Sequence, residues 1–226
     1  MGLLLLLLPG LRFTCDAATF TVTNSLDSGA GSLRQAIISA NQNFTDRGPD
    51  TIEFNIDRIA PFSIPTINLS SALPTITAPV TIDGTTENAG YVQLNGTSAG
   101  AGAAGLRITA GECTVRGLII NRFSGNGIEM IGPKGMNVIQ QNRIGTTAAG
   151  LAASANLGHG ILISNSPNNT IGGASPSGNV LSANVRNGVE ITGSDATNNR
   201  VFGNFIGTDT AFIGTRKPSF TASSSG

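Results

Sequence analysis

The chain has 226 residues, with 13 Lys and Arg balanced by 13 Asp and Glu, so its formal net charge is zero and it offers no basic surface for nucleic acid. Charged residues are only 12% and hydrophobic ones 39%, with 30 Gly, one Tyr and no Trp. The apolar residues are patterned, so the chain reads as a turn-rich β protein and not as a disordered one.

The chain opens on Met1-Gly2 and leucines 3–8. This run is too short to span a bilayer, which takes about 20 apolar residues, but it fits the apolar centre of a secretory signal. Cleavage is expected after Cys15-Asp16-Ala17, a small-x-small triplet. Residues 1–17 are therefore read as a signal peptide, with a mature chain that begins near Ala18, has no membrane span, and is secreted or held at the cell surface. A mis-assigned start is the rival reading, because the α-amino group is the only positive charge ahead of the leucine run. Lipidation at Cys15 is disfavoured by Arg12, Phe13 and Thr14, which are neither small nor aliphatic.

Next, residues 19–24 alternate as a strand, and a turn over 27–31 leads to an amphipathic helix over 32–41. Ser32 and Gln35 form a capping box, and Leu33, Ala36, Ile37 and Ala40 share one face. One helix ahead of a run of strands is expected to cover the apolar end of the first of them. Short strands are expected at 51–55, 66–69, 74–77, 80–82 and 91–94, with loops at 46–50 and 57–65 and a flexible Gly/Ala-rich turn at 96–105. Residues 18–104 thus form the cap and the first, irregular coils.

The regular part spans 105–214. Four openings recur, each a Gly followed by two apolar residues around an outward one: Gly105-Leu106-Arg107-Ile108, Gly127-Ile128-Glu129-Met130, Gly160-Ile161-Leu162-Ile163 and Gly188-Val189-Glu190-Ile191. Interleaved is a second pattern of two Asn around an apolar residue, at Asn121/Phe123/Asn126, Asn137/Ile139/Asn142, Asn179/Leu181/Asn184 and Asn199/Val201/Asn204. Asn142-Arg-Ile-Gly-Thr-Thr147 returns as Asn204-Phe-Ile-Gly-Thr-Asp209. A supersecondary unit repeated at a period of roughly 20–50 residues means a solenoid, and alternation makes it a parallel β-helix. Three inward rows are expected: Leu106, Ile128, Ile161, Val189; Ile108, Met130, Ile163, Ile191; and Phe123, Ile139, Leu181, Val201. The Asn residues are placed at the bends, where they bond neighbouring backbone, stack as ladders and take the left-handed conformation of a tight corner. Cys113 reads as a buried, unpaired thiol, and one Cys with one His after the leader builds neither a disulfide nor a metal site.

The chain resembles the right-handed parallel β-helix repeat proteins secreted by bacteria, a branch of the pectate-lyase-like architecture. The resemblance rests on Phe20-Thr-Val-Thr-Asn24, Asp27-Ser-Gly-Ala-Gly-Ser-Leu-Arg-Gln-Ala-Ile37, Leu73-Pro-Thr-Ile-Thr77, Val80-Thr-Ile-Asp-Gly84, Thr114-Val-Arg-Gly-Leu-Ile-Ile-Asn-Arg-Phe-Ser-Gly125 and the Ile-Gly-Thr endings. It implies an all-β right-handed parallel β-helix with an N-terminal capping helix, and it is nearly silent on activity.

Chemistry in a β-helix lies on outward rows and protruding loops. The outward row here is Arg107, Glu129, Leu162 and Glu190, of which Arg107, Glu129 and Glu190 are the candidate binding residues. Two coils apart, Glu129 and Glu190 stand on the order of 10 Å from each other, just beyond the roughly 6.5–9.5 Å of an inverting glycosidase. They are read as solvated charges. Gly158-His159-Gly160-Ile161 resembles the catalytic-His motif of polygalacturonases, but the acid–base aspartates and the Arg-x-Lys that such a motif implies have no counterpart here. Pectate-lyase chemistry would need clustered Asp for calcium, and the acidic residues are scattered.

Two function classes follow. One is a non-catalytic extracellular module for adhesion, stalk formation or glycan binding, with a polysaccharide or cell-surface glycan as partner and no cofactor. The other is a polysaccharide hydrolase or lyase working from the side of the solenoid through His159, Glu129 and Glu190. Residues 215–226 form a polar tail without alternation, so the chain is expected to continue into further β-helix coils.

Overall fold

The computed structural model describes residues 17–43, 48–57 and 63–208. Most of the expected leader, parts of the two loops at 46–50 and 57–65, and the tail at 215–226 lie outside them.

The chain winds into a parallel β-solenoid of about six turns. Its elements are β1 (Thr19–Val22), α1 (Leu33–Gln42), β2 (Asp50–Phe54), β3 (Thr66–Asn68), β4 (Val80–Asp83), β5 (Val92–Asn95), β6 (Leu106–Ile108), β7 (Thr114–Arg116), β8 (Leu118–Asn121) and β9 (Ile128–Ile131). There follow β10 (Val138–Gln140), β11 (Arg143–Ile144), β12 (Ile161–Ser164), β13 (Thr170–Gly172), β14 (Val180–Leu181), β15 (Val189–Thr192), β16 (Arg200–Phe202) and β17 (Phe205–Ile206). Each coil gives one strand to each of up to three sheets. The first sheet runs β1-β2-β4-β7-β10-β13-β16, the second β3-β5-β8-β11-β14-β17 and the third β6-β9-β12-β15. Asp50, expected in a loop, opens β2 instead, where it pairs with Val80.

Residues that pair across these strands are stacked one coil apart, so an inward apolar position repeats as a column. In the third sheet the columns are Leu106, Ile128, Ile161, Val189 and Ile108, Met130, Ile163, Ile191, as the spacing predicts. The expected third row is corrected. Its members divide among separate columns: Ile52, Ile82, Val115, Ile139, Ile171 and Val201 in the first sheet, and Ile67, Leu94, Ile120, Ile144, Leu181 and Ile206 in the second. Phe123 belongs to neither and fills a corner, fully buried. Except at the last described coil these columns are almost wholly excluded from water, and they merge into one continuous core.

Helix α1 buries Leu33, Ala36, Ile37 and Ala40 against the first coils. Only half of the capping box forms. The Ser32 hydroxyl accepts from the Gln35 N–H at 3.2 Å, while the Gln35 amide turns to Ser39 and the Ser32 N–H goes to the Gly29 carbonyl. Asn41 pins the helix by donating to the Thr75 carbonyl and accepting from the Thr77 N–H, both at 2.8 Å. Arg34 donates to Asp27 and to the carbonyls of Ser71 and Ala72. Burial pushes the Asp27 carboxyl up, but donors from Ser70 and Arg34 outweigh it and hold its pKa below the usual value. The Gly/Ala-rich segment at 96–105 is two consecutive turns, docked through buried Ala99 and Ala103.

The corners carry the polar part of the design. At the bend into the first sheet, Cys113, Asn137, Asn169 and Asn199 stack. The Asn137 carboxamide oxygen accepts from the Cys113 N–H at 3.0 Å, and Asn169 Oδ1 accepts from the N–H and Nδ2 of Asn137 at 3.0 and 2.9 Å. Asn199 repeats this toward Asn169. At the bend into the second sheet, Leu118, Asn142, Asn179 and Asn204 form the same chain of bonds. At the bend out of the second sheet it is Phe123, Asn156 and Asn184. Asn121, at the end of β8, donates instead to the Thr146 carbonyl at 2.8 Å. These bonds satisfy main-chain groups that the bends would otherwise bury unpaired.

The left-handed residue is not the ladder Asn, as expected, but the one before it. Glu112, Met136, Asn168 and Asn198, then Gln141, then Arg122 and Ala183 all have φ between 55° and 63°. The reversal by the preceding residue aims the following side chain along the stack. Cys113 takes a ladder position with a thiol, wholly buried and unpaired, and burial pushes its pKa up to about 11.

A half-buried ion pair crosses coils in the first sheet. Asp83 and Arg116 are register partners on β4 and β7, and Asp83 also accepts from the Thr85 N–H and hydroxyl. Burial alone would raise the Asp83 pKa, yet the Arg116 and Thr85 donors hold it below the ordinary aspartate value. A depressed folded pKa gives stability that is present above the unfolded pKa and lost as pH falls through the folded one. Urea melts between pH 6 and pH 2 should therefore show the wild type losing its advantage over Asp83→Asn on the acid side. A constant gap across that range would refute this.

Candidate binding surface

The third sheet presents the outward row. Register places Arg107, Glu129, Leu162 and Glu190 side by side on successive coils. Three residues earlier, main-chain bonds from Gly127 to the His159 carbonyl and from Gly160 to the Asn187 carbonyl stack Asn126, His159 and Asn187. The two rows lock together. Asn126 Nδ2 donates to Glu129 Oε1 at 2.8 Å, Arg107 Nη1 lies 3.3 Å from Glu129 Oε2, and Asn187 Nδ2 donates to Glu190 Oε2 at 2.6 Å.

Glu129 is thus not the solvated charge expected from sequence: it is 9% exposed, with both oxygens engaged. A carboxylate whose two oxygens already accept from an arginine and an amide has neither oxygen free to exchange a proton with a substrate, so Glu129 is poorly placed as a general acid or base. Glu190 is half-buried and tied to Asn187, and Leu162 separates it from Glu129.

His159 is half-buried. Its N–H donates to Asn126 Oδ1 at 2.6 Å, and its ring Nδ1 is buried without a hydrogen-bond partner among the described residues. Burial lowers its pKa, with Glu190 pulling it up and Arg186 pushing it down. The side chain therefore stands in a stack of polar corner residues as a neutral imidazole at pH 7. Among the described residues no group of three His, Cys, Asp or Glu is placed to hold a metal ion. No described helix is long and apolar enough to cross a membrane.

A second feature was not legible from the repeats. A cleft of about 580 Å³ opens between the loop that starts at Gly96 and the next two coils, lined by Thr97, Ser98, Arg122, Ser124, Ala155 and Leu157. Arg122 is one of the left-handed corner residues, its N–H bonded to the Ala155 carbonyl, and its side chain projects outward with Nε donating to the Ser154 hydroxyl at 3.1 Å. The far wall comes from the Ala-rich segment after Thr146, which folds into a small hairpin closed by the Thr147 to Ala152 main-chain bond. The cleft size is that of a site for a small organic ligand or a short oligomer, and its lining offers hydroxyls, one guanidinium and one exposed leucine. The sequence hides it because Gly96-Thr97-Ser98 reads only as a turn.

No protein-family model matches the chain, and no curated protein is significantly similar to it.

Proposed function

We propose that the chain is a non-catalytic extracellular or cell-surface β-helix module that binds a glycan bearing acidic groups, related in kind to the secreted bacterial pectate-lyase-like β-helix proteins. The observation that carries this reading is the cleft over Arg122: hydroxyls of Thr97, Ser98 and Ser124 suit sugar hydroxyls, and a guanidinium suits a carboxylate or sulfate. Non-catalytic action is supported by the outward carboxylates, whose oxygens are held by Arg107, Asn126 and Asn187.

A glycan array with neutral, uronate-containing and sulfated oligosaccharides tests it. Acidic ligands should bind, and Arg122→Gln should weaken them about tenfold or more, the range of a lost charge-assisted bond. Equal binding by Arg122→Gln would remove the cleft from the reading. The same protein incubated with polygalacturonate and other polysaccharides should release neither reducing ends nor unsaturated products. Release that vanishes in His159→Ala would replace this function with the polysaccharide-processing one.

A further inference from the structure

The most deeply buried charge that the fold leaves half-satisfied is Asp50, at the start of β2. It is 2% exposed, and no partner reaches its Oδ2 among the described residues. Its Oδ1 accepts from the main-chain N–H of Ala18 and from Asn43 Nδ2, both at 2.8 Å. Ala18 is fixed in place: its carbonyl accepts from the Thr51 N–H at 2.8 Å, and Thr19 pairs with Thr51 on the adjoining strand. Ala17, one residue earlier, is exposed. A buried carboxylate with amide donors on one oxygen alone is costly, because neither its charge nor its second oxygen is compensated.

We infer that the Ala17–Ala18 bond is a processing site and that the α-ammonium freed on Ala18 is the counter-ion of the buried Asp50 carboxylate. The inference rests on the reading of the chain as exported, and it adds what export does to the fold. A leader endopeptidase delivers water across the peptide bond. The C–N bond breaks, Ala17 keeps the new carboxylate, and the Ala18 nitrogen leaves as an amine that takes up a proton at neutral pH. The nitrogen that lies 2.8 Å from Oδ1 as an amide then carries a full positive charge and three protons in place of one, enough to serve both Asp50 oxygens. Removal of the leader and completion of the first coil become one event: with the leader attached, the first coil folds around an unpaired charge, and once the leader is gone the same atoms form an ion pair. The same pair explains why an acidic residue stands at a position where the next coil along the sheet has Val80.

The test starts with the intact mass of the exported chain, which should begin at Ala18. That chain is then compared with one carrying a single extra glycine before Ala18, which turns the ammonium back into an amide at the same place. The free-amine chain should unfold with an equilibrium constant roughly tenfold smaller near pH 6, the equivalent of one pKa unit. The raised amine pKa makes this advantage full below the ordinary α-amino value of about 7.7–8.0 and progressively lost as pH rises above it. Asp50→Asn should abolish the difference between the two chains. If Asp50→Asn does not fold, the pH dependence of the two wild-type chains decides alone. An exported chain that starts elsewhere, or two chains of equal stability at every pH, would overturn the inference. Neither result touches glycan binding, which is read on the array.

Discussion

Gly145→Ala is expected to destabilise the solenoid by about 3–5 kcal/mol, at the upper end of what single substitutions do. Gly145 follows β11 at the bend where the Ile-Gly-Thr string leaves the second sheet, and its φ is +89°. An L side chain at such a φ costs about 1–3 kcal/mol by itself. Space is the second cost. A Cβ on Gly145 would fall inside the contact distance of the Ser182 carbonyl oxygen and of Asn184 Oδ1 on the next coil. Neither can retreat cheaply. The Ser182 N–H and Asn184 Nδ2 both donate to the Ile144 carbonyl, at 3.1 and 3.0 Å, so pushing that coil away breaks the bonds that hold the two together. Two controls separate the costs. Gly132 has φ +100° with open space around its Cβ position, so Gly132→Ala should show the backbone cost alone, about 1–2 kcal/mol. Gly135 has no positive φ, but its Cβ would strike the Pro167 carbonyl, so Gly135→Ala should show the crowding alone. Urea melts of the three variants check the ordering, and a Gly145→Ala melt indistinguishable from that of Gly132→Ala would show that the coils yield without cost.

The same crowding explains part of what the sequence reveals. A solenoid fixes the distance between coils at the strand spacing of about 4.8 Å, so positions that touch the next coil cannot drift in size. That constraint makes Gly105, Gly127, Gly160 and Gly188 recur, and it made both columns of the third sheet legible. The second pattern misleads for a physical reason. All three bends use one device, an Asn whose carboxamide bonds the coil before it, so equal spacing of Asn residues does not say which bend they occupy. Asn137 and Asn142 flank a first-sheet strand, whereas Asn179 and Asn184 flank a second-sheet one. Aligning the two pairs placed Ile139 and Leu181 in one row, when they belong to different sheets. Asn156 and Asn169 stand outside the repeat pattern because each lies beside an insertion or a turn that breaks the spacing. Glu129 looks solvated in sequence because its burial is lateral: Arg107 on one neighbouring coil and Asn126 on its own coil cover it. Strand alternation reports inward and outward, but not what an outward residue leans on.

The ladder makes the second large prediction, at Asn142. Its oxygen accepts from the Leu118 N–H at 3.0 Å, while Nδ2 donates to the carbonyls of Val115 and Gln140 and to Asn179 Oδ1. Asn142 is 1% exposed and Leu118 and Val115 are fully buried. Asn142→Ala leaves the buried Leu118 donor without a partner or water, at about 1–3 kcal/mol, and removes the rung to Asn179 as well, so a loss of about 2–3 kcal/mol is expected. Asn95→Ala is the control, because Asn95 makes the same carboxamide bond to Asn68 at a water-exposed position; it should cost less than about 1 kcal/mol, as water replaces what is lost. Asn142→Asp separates packing from hydrogen bonding. The acid keeps the shape and the acceptor for Leu118, but as a carboxylate it turns a second oxygen toward three others. Burial and those oxygens disfavour the charge, so its folded pKa must rise above the unfolded value of about 3.9. A raised acid pKa means that the folded state holds the proton longer, so the variant's stability falls as pH rises through the unfolded value and recovers on the acid side. Protonated, the acid regains one donor for Asn179 or Val115. Asn142→Asp should therefore be at least as damaged as Asn142→Ala at pH 7, and clearly more stable than it at pH 4. Two variants that run in parallel across that range would mean that shape, and not the Nδ2 donor, holds this corner together.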